Sequence, residues 1–215
     1  WGHNEDRAAL GAVWHYGWFD GGCAEPCVNM SKFGALSVGC YPYLLFLNEP
    51  EYLPPSGSNI TPAQAVPLVV AQQAHCPQTT LVMGNSTSVN WLRDFIAAFK
   101  TATGRAFVGL LGWHSYCVTA AATCVAAFNA LPASLPGYRF WVTEFNCIFC
   151  PVTDFRQMIS AFGLSPLVDR FAAYTNRQPC ATDCGWVLPG ADLVNANGTL
   201  TAAGQAYRDW QKRVT

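Results

Sequence analysis

Tyr43-Leu44-Leu45-Phe46-Leu47-Asn48-Glu49-Pro50 is an apolar, aromatic-rich run that stops at a carboxylate. A short apolar run bounded by turn residues reads as a buried strand, here near 42–48, and a glutamate at its end sits on rigid backbone at the rim of a sheet. Pro50 fixes the turn, and Asn48 sets an amide beside the carboxylate where it can bond a sugar hydroxyl. Further on, Thr61-Pro62-Ala63-Gln64 has the chemistry of a helix start: a threonine cap, a proline in the first turn and a glutamine at the capping-box position. That helix runs to about Ala74 and completes one strand–helix unit.

The pattern recurs along the chain. Strands are expected near 12–18, 25–30, 79–85, 107–114, 138–145 and 168–174, with an eighth near 191–194. Helices are expected at 89–101, where Trp91, Leu92, Phe95, Ile96 and Phe99 share a face, and at 119–131, 153–162 and 201–213. Strands alternating with helices imply a parallel sheet. Eight of them in 215 residues suit one α/β domain, 1–215, built as a compact (β/α)8 TIM-type barrel; an open doubly wound sheet is the alternative. No glycine-rich phosphate loop follows a strand, so a nucleotide-binding sheet has no support.

A second run, Tyr138-Arg139-Phe140-Trp141-Val142-Thr143-Glu144-Phe145, also meets a glutamate. Barrel sites gather at the C-terminal ends of the strands, where Glu49 and Glu144 are expected to converge. Cleaving a glycosidic bond needs one carboxylic acid to protonate the leaving oxygen and a second carboxylate across the anomeric carbon. A gap of about 5 to 5.5 Å between them gives retention, and one of about 6.5 to 9.5 Å admits a water and gives inversion. Glu51 lies beyond the strand end, and Asp169 precedes Arg170 as an ion partner or strand-start residue, so neither is preferred.

Sugar rings present flat C–H faces that aromatic side chains can bury. Trp18, Trp113, Tyr116 and Trp141 are the candidates, while Trp14 is expected to pack inside the barrel. Asn48 is expected to bond the 2-hydroxyl, an interaction that strengthens in the transition state. His114 can bond either the nucleophile or a sugar hydroxyl, as neutral imidazole does both.

Half of the chain is hydrophobic and 12% is charged, which leaves little room for disorder. A net charge of -1 without a basic run argues against nucleic acid or an electrostatic membrane anchor and for a neutral partner. Apolar runs such as Val66-Pro67-Leu68-Val69-Val70-Ala71 are too short to span a bilayer, and Trp1 fits a processed N-terminus. Ten cysteines, an even count, point to disulfides and an oxidising compartment. The competing reading is a zinc site from Cys147-x2-Cys150 and Cys180-x3-Cys184. Sequons at Asn29, Asn59, Asn85 and Asn197 fit a secretory route.

Taken together, Trp14-His15-Tyr16-Gly17-Trp18, Leu45 to Pro50, Trp91-Leu92, Trp113-His114-Ser115-Tyr116, Trp141 to Phe145 and Asn197-Gly198-Thr199-Leu200-Thr201 resemble glycoside hydrolase family 128, retaining endo-β-1,3-glucanases of clan A. The resemblance implies Glu49 as general acid/base, Glu144 as nucleophile and a secreted enzyme, extracellular or in the cell wall, acting on β-glucan; the two-carboxylate mechanism calls for no metal or organic cofactor, and a monomer is expected. Clan A enzymes carry these glutamates on the fourth and seventh strands, whereas the count here places them on the third and sixth. The segment between Phe19 and Tyr41 is shorter and richer in cysteine than the family pattern, and Gly17 stands where asparagine is typical. Other clan A activities, such as β-1,4-mannanase or cellulase, and a glucan-binding wall protein without turnover are the alternatives.

Overall fold

The computed structural model describes residues 4–12, 14–17, 27–118, 120–174 and 192–214. Within them the elements run α1 (Asn4–Leu10), β1 (His15–Gly17), β2 (Cys27–Ser31), β3 (Tyr43–Phe46), α2 (Pro62–His75), β4 (Thr80–Ser86), α3 (Val89–Thr103), β5 (Leu110–Cys117), α4 (Ala121–Ser134), β6 (Phe140–Cys147), α5 (Val152–Gly163), β7 (Val168–Ala173) and α6 (Ala202–Val214). The seven strands follow one another in a single sheet in chain order, and β2–β3, β3–β4 and β4–β5 pair in parallel. Sequential parallel strands joined through helices are the α/β TIM-type arrangement that the sequence led us to expect. The expected eighth strand near 191–194 is reduced, among the described residues, to one antiparallel bridge between Val194 and Leu200. Glu49 follows the third strand and Glu144 lies in the sixth, as counted.

The chain forms two compact units, each discontinuous in sequence. One comprises Tyr16–His114 and Leu131–Trp141. Its core is built around β2, β3 and β4, which are buried on both faces, and Met30, Leu44, Leu45, Phe46, Val82 and Met83 have no exposure. The register sets Leu45 beside Val82 and Phe46 beside Met83. Helix α2 opens with the expected capping box: Thr61 accepts from the Gln64 amide while the Gln64 side chain accepts from Thr61 N. Helix α3 buries Trp91, Leu92, Phe95 and Phe99, the face read from periodicity, with Trp91 stacked on Phe95 and Phe95 edge-on to Phe107.

The other unit comprises Trp1–His15, Ser115–Ala130 and Val142–Thr215. Phe145 of β6 is its packing centre, within 6.0 Å of Phe155, Phe162 and Phe171. Trp14, expected inside the barrel, is half-buried and has the Arg170 guanidinium over its ring. Disulfides join Cys40–Cys76, Cys117–Cys124 and Cys147–Cys150. The last replaces the zinc reading of Cys147-x2-Cys150, because oxidised sulfurs are not thiolate ligands; Cys180 and Cys184 lie outside the described residues.

Candidate active site

Strand β3 ends at Phe46, earlier than the expected 42–48, because Leu47 and Glu49 take left-handed backbone angles, φ 64° and 39°. The chain therefore turns sharply after the strand, and the turn is tied down by its neighbours. Leu47 N donates to Ser31 O at 3.0 Å, Asn48 N to Ser58 Oγ at 3.0 Å, and Glu49 N to Asn85 O at 3.0 Å. Asn85, at the end of β4, donates its Nδ2 to Leu47 O at 2.7 Å. Each bond anchors an amide or carbonyl that the left-handed turn takes out of the ladder.

Glu49 is met by His114 of β5, whose Nδ1 lies 2.9 Å from Glu49 Oε1. The imidazole is 1% exposed, so its ring is fixed by packing as well as by this bond. Its expected partner is the nucleophile or a sugar hydroxyl; the carboxylate bonded here is instead the expected acid/base, Glu49. Strand β5 covers Leu110–Cys117, three residues further along than expected, which places His114 and Tyr116 inside the strand at alternate positions on one face.

Glu144 sits within β6 rather than at its end, because the strand continues through Asn146 and Cys147. It is 3% exposed, and the Tyr116 hydroxyl donates to its Oε2. The alternation of the strand explains the orientation. Phe145 turns toward α5, so Glu144 turns to the opposite face. Tyr116, expected as a sugar platform, thus has its hydroxyl committed to Glu144 and its ring edge-on to Tyr174 at 6.1 Å.

The other candidates are placed differently. Asn48 is 1% exposed and donates Nδ2 to Ser56 O at 3.0 Å, so its amide braces the loop after the strand. Its Oδ1 has no partner among the described residues. Trp141 is 1% exposed and packs on Tyr43 with ring centroids 4.9 Å apart, which makes it a core residue and not an open stacking surface. Trp113 is likewise buried, at 6% exposure. Both face away from solvent because they stand in the interior of strands with covered faces. Trp18 lies outside the described residues.

Glu51, not among the preferred acids, takes a part in the loop. Glu51 accepts from Ser86 Oγ at 2.8 Å, Thr87 N at 2.7 Å and Thr87 Oγ1 at 2.8 Å. It clamps the loop bearing Glu49 to the end of β4. Glu49, Glu51, Tyr52, Leu53 and Ser56 line a groove of about 540 Å³, within the range of small-ligand sites. Tyr52 and Leu53 are exposed there, and Tyr52 OH meets Thr87 Oγ1 at 3.1 Å. The only local signal for this loop was its composition: an aromatic and a leucine among turn residues just after a strand-end acid.

Residues 29–207 match the family described as glycosyl hydrolase catalytic core. No curated protein sequence matches the chain. Among solved structures, a GH128 subgroup II endo-β-1,3-glucanase from Pseudomonas viridiflava superposes with a TM-score of 0.72 at 23% identity, covering 96% of this chain and 93% of that one. A GH128 subgroup IV endo-β-1,3-glucanase from Lentinula edodes gives 0.73 at 19% identity, with 91% and 88% covered. A GH128 subgroup VII oligosaccharide-binding protein from Trichoderma gamsii gives 0.65 at 18% identity, with 97% and 92% covered. At these identities the likeness is one of fold.

Proposed function

Because the chain belongs to the glycosyl hydrolase catalytic core family, we propose that it is a retaining endo-β-1,3-glucanase in which Glu49 and Glu144 act as a pair. Glu144, as carboxylate, attacks the anomeric carbon while Glu49 gives its proton to the departing glycosidic oxygen. The sugar is then an ester of Glu144. Glu49, now ionised, takes a proton from water, the hydroxide attacks the anomeric carbon, and the Glu144 carboxylate is released. Two inversions at one carbon give net retention.

The observation that carries the reading is that each glutamate is hydrogen-bonded to a ring side chain of β5, Glu49 to His114 and Glu144 to Tyr116. Glutamates that served only as solvated rim residues would need no such orientation. The β-1,3-glucan substrate rests on the resemblance to glycoside hydrolase family 128 and on the shared fold of the glucanases above. The net charge of -1 suits an uncharged polysaccharide, and the role of a secreted wall enzyme is part of the same proposal.

Glu49→Gln and Glu144→Gln test the pair directly against soluble β-1,3-glucan, with reducing ends as the readout. Removing a general acid lowers turnover by about 10²- to 10⁴-fold, and loss of the nucleophile is expected to be at least as severe. Undiminished hydrolysis by either variant removes that residue from the mechanism, and an inverted anomer in the first product, seen by proton NMR, removes retention. A panel of β-1,3-glucan, mannan and cellulose separates the clan A alternatives. The similarity to an oligosaccharide-binding protein favours a second reading, glucan capture without turnover. It requires binding of β-1,3-oligosaccharides by calorimetry with no new reducing ends.

A further inference from the structure

The four Asn-x-Ser/Thr sequons divide into two pairs by burial. Asn29 is 4% exposed inside β2, and Asn85 is fully buried, with its Nδ2 donating to Leu47 O at 2.7 Å and Val82 O at 3.3 Å. A hydrated oligosaccharide on either nitrogen would have to enter a close-packed interior, and on Asn85 it would also displace the bond that holds the Glu49 turn. A chain carrying a glycan at either position could not reach this fold.

Asn59 and Asn197 are exposed and stand in loops outside the strands and helices, Asn197 on a turn. Asn59 has φ 51° and donates its backbone amide to Tyr52 O at 2.9 Å, while its side chain reaches solvent. Asn197 accepts at Oδ1 from Thr199 N at 3.1 Å and from the hydroxyl of its own sequon, Thr199 Oγ1, at 2.7 Å. Asparagine tolerates such backbone angles, and among the described residues both side chains are exposed. Three disulfides among the described residues belong to the same oxidising route in which this modification is made.

We propose that Asn59 and Asn197 are the N-glycosylation sites of this protein and that Asn29 and Asn85 carry no glycan. The donor is a lipid-diphosphate-linked oligosaccharide. A bond forms from asparagine Nδ2 to the anomeric carbon, the carbon–oxygen bond to the lipid diphosphate breaks with its electron pair on the phosphate oxygen, and the amide loses one proton. Asn59 lies in the loop that also supplies Tyr52 and Ser56 to the Glu49 groove, so its glycan borders that groove.

The test is secretion of the full chain from a eukaryotic host, followed by enzymatic deglycosylation in heavy-oxygen water, which converts each formerly glycosylated asparagine to labelled aspartate. Peptide mass spectrometry should find the label at 59 and 197, and Asn29 and Asn85 unchanged. Asn59→Gln and Asn197→Gln should each remove the mass of one glycan while the circular dichroism spectrum stays the same. Label at 29 or 85 in the folded secreted protein, or its absence at 59 or 197, overturns the proposal; mapping the unsubstituted chain decides this even if a variant fails to fold.

Discussion

His114 and Tyr116 stand two positions apart on β5, and each is bonded to a different glutamate. A hydrogen bond to a charged group is worth about 1.5–3 kcal/mol, so Tyr116→Phe should lower kcat roughly ten- to hundred-fold and, because Glu144 is buried, should also lower the melting temperature by about 2–4 °C per kcal/mol lost. Steady-state kinetics beside a thermal melt checks this, and an unchanged kcat would mean that the hydroxyl orients nothing in the reaction. Both glutamates were legible in the sequence because an acid next to an apolar run is a local signal. Their partners were not, since Glu49 is 65 residues from His114 and Glu144 is 28 from Tyr116. Glu51 was dismissed for the same reason: its value lies in Ser86 and Thr87, which reach it only through the fold. Trp113 and Trp141, expected beside a sugar, are buried; an indole's chemistry suits a sugar and a core equally, so local sequence does not report the burial.

Strand β4 does not run straight into its end; its register with β5 shifts between Met83 and Ser86, and Asn85 takes φ 44° there. Gly112 of β5 makes room for this, since a Cβ at that position would run into the Asn85 side chain. Asn85 in turn holds Leu47 O at the start of the Glu49 turn. Gly112→Ala should therefore cost about 1–3 kcal/mol by overpacking, and it should also depress kcat/KM in the fraction that remains folded. Denaturant midpoints and activity below the melting temperature measure the two effects separately; a stable variant with full activity would break this link. The elements themselves were largely read correctly from periodicity, with α2 announced by its cap and α3 by its aromatic face. Their ends were not, because the close of β3 depends on left-handed residues that neighbouring loops stabilise.

Disulfides restrain the molecule most where they close long loops. The Cys40–Cys76 bridge spans 36 residues and encloses β3, the Glu49 loop and α2. Chain entropy assigns such a loop about 4 kcal/mol in the unfolded state, so the paired Cys40→Ser, Cys76→Ser variant should lose about 2–4 kcal/mol in urea unfolding. A midpoint equal to that of the unsubstituted protein would show that this bridge is not what holds the loop. No helix among the described residues is long and apolar enough to cross a membrane.

Alternating strands and helices, acids after apolar runs and an even cysteine count could all be read from the chain alone, because periodicity, capping and local chemistry act over a few residues. Which cysteines pair, which ring holds which glutamate, which tryptophans are buried and which sequons face solvent came only with the folded molecule. Each of these depends on groups far apart in the chain, and only packing brings such groups within bonding distance or seals them from water.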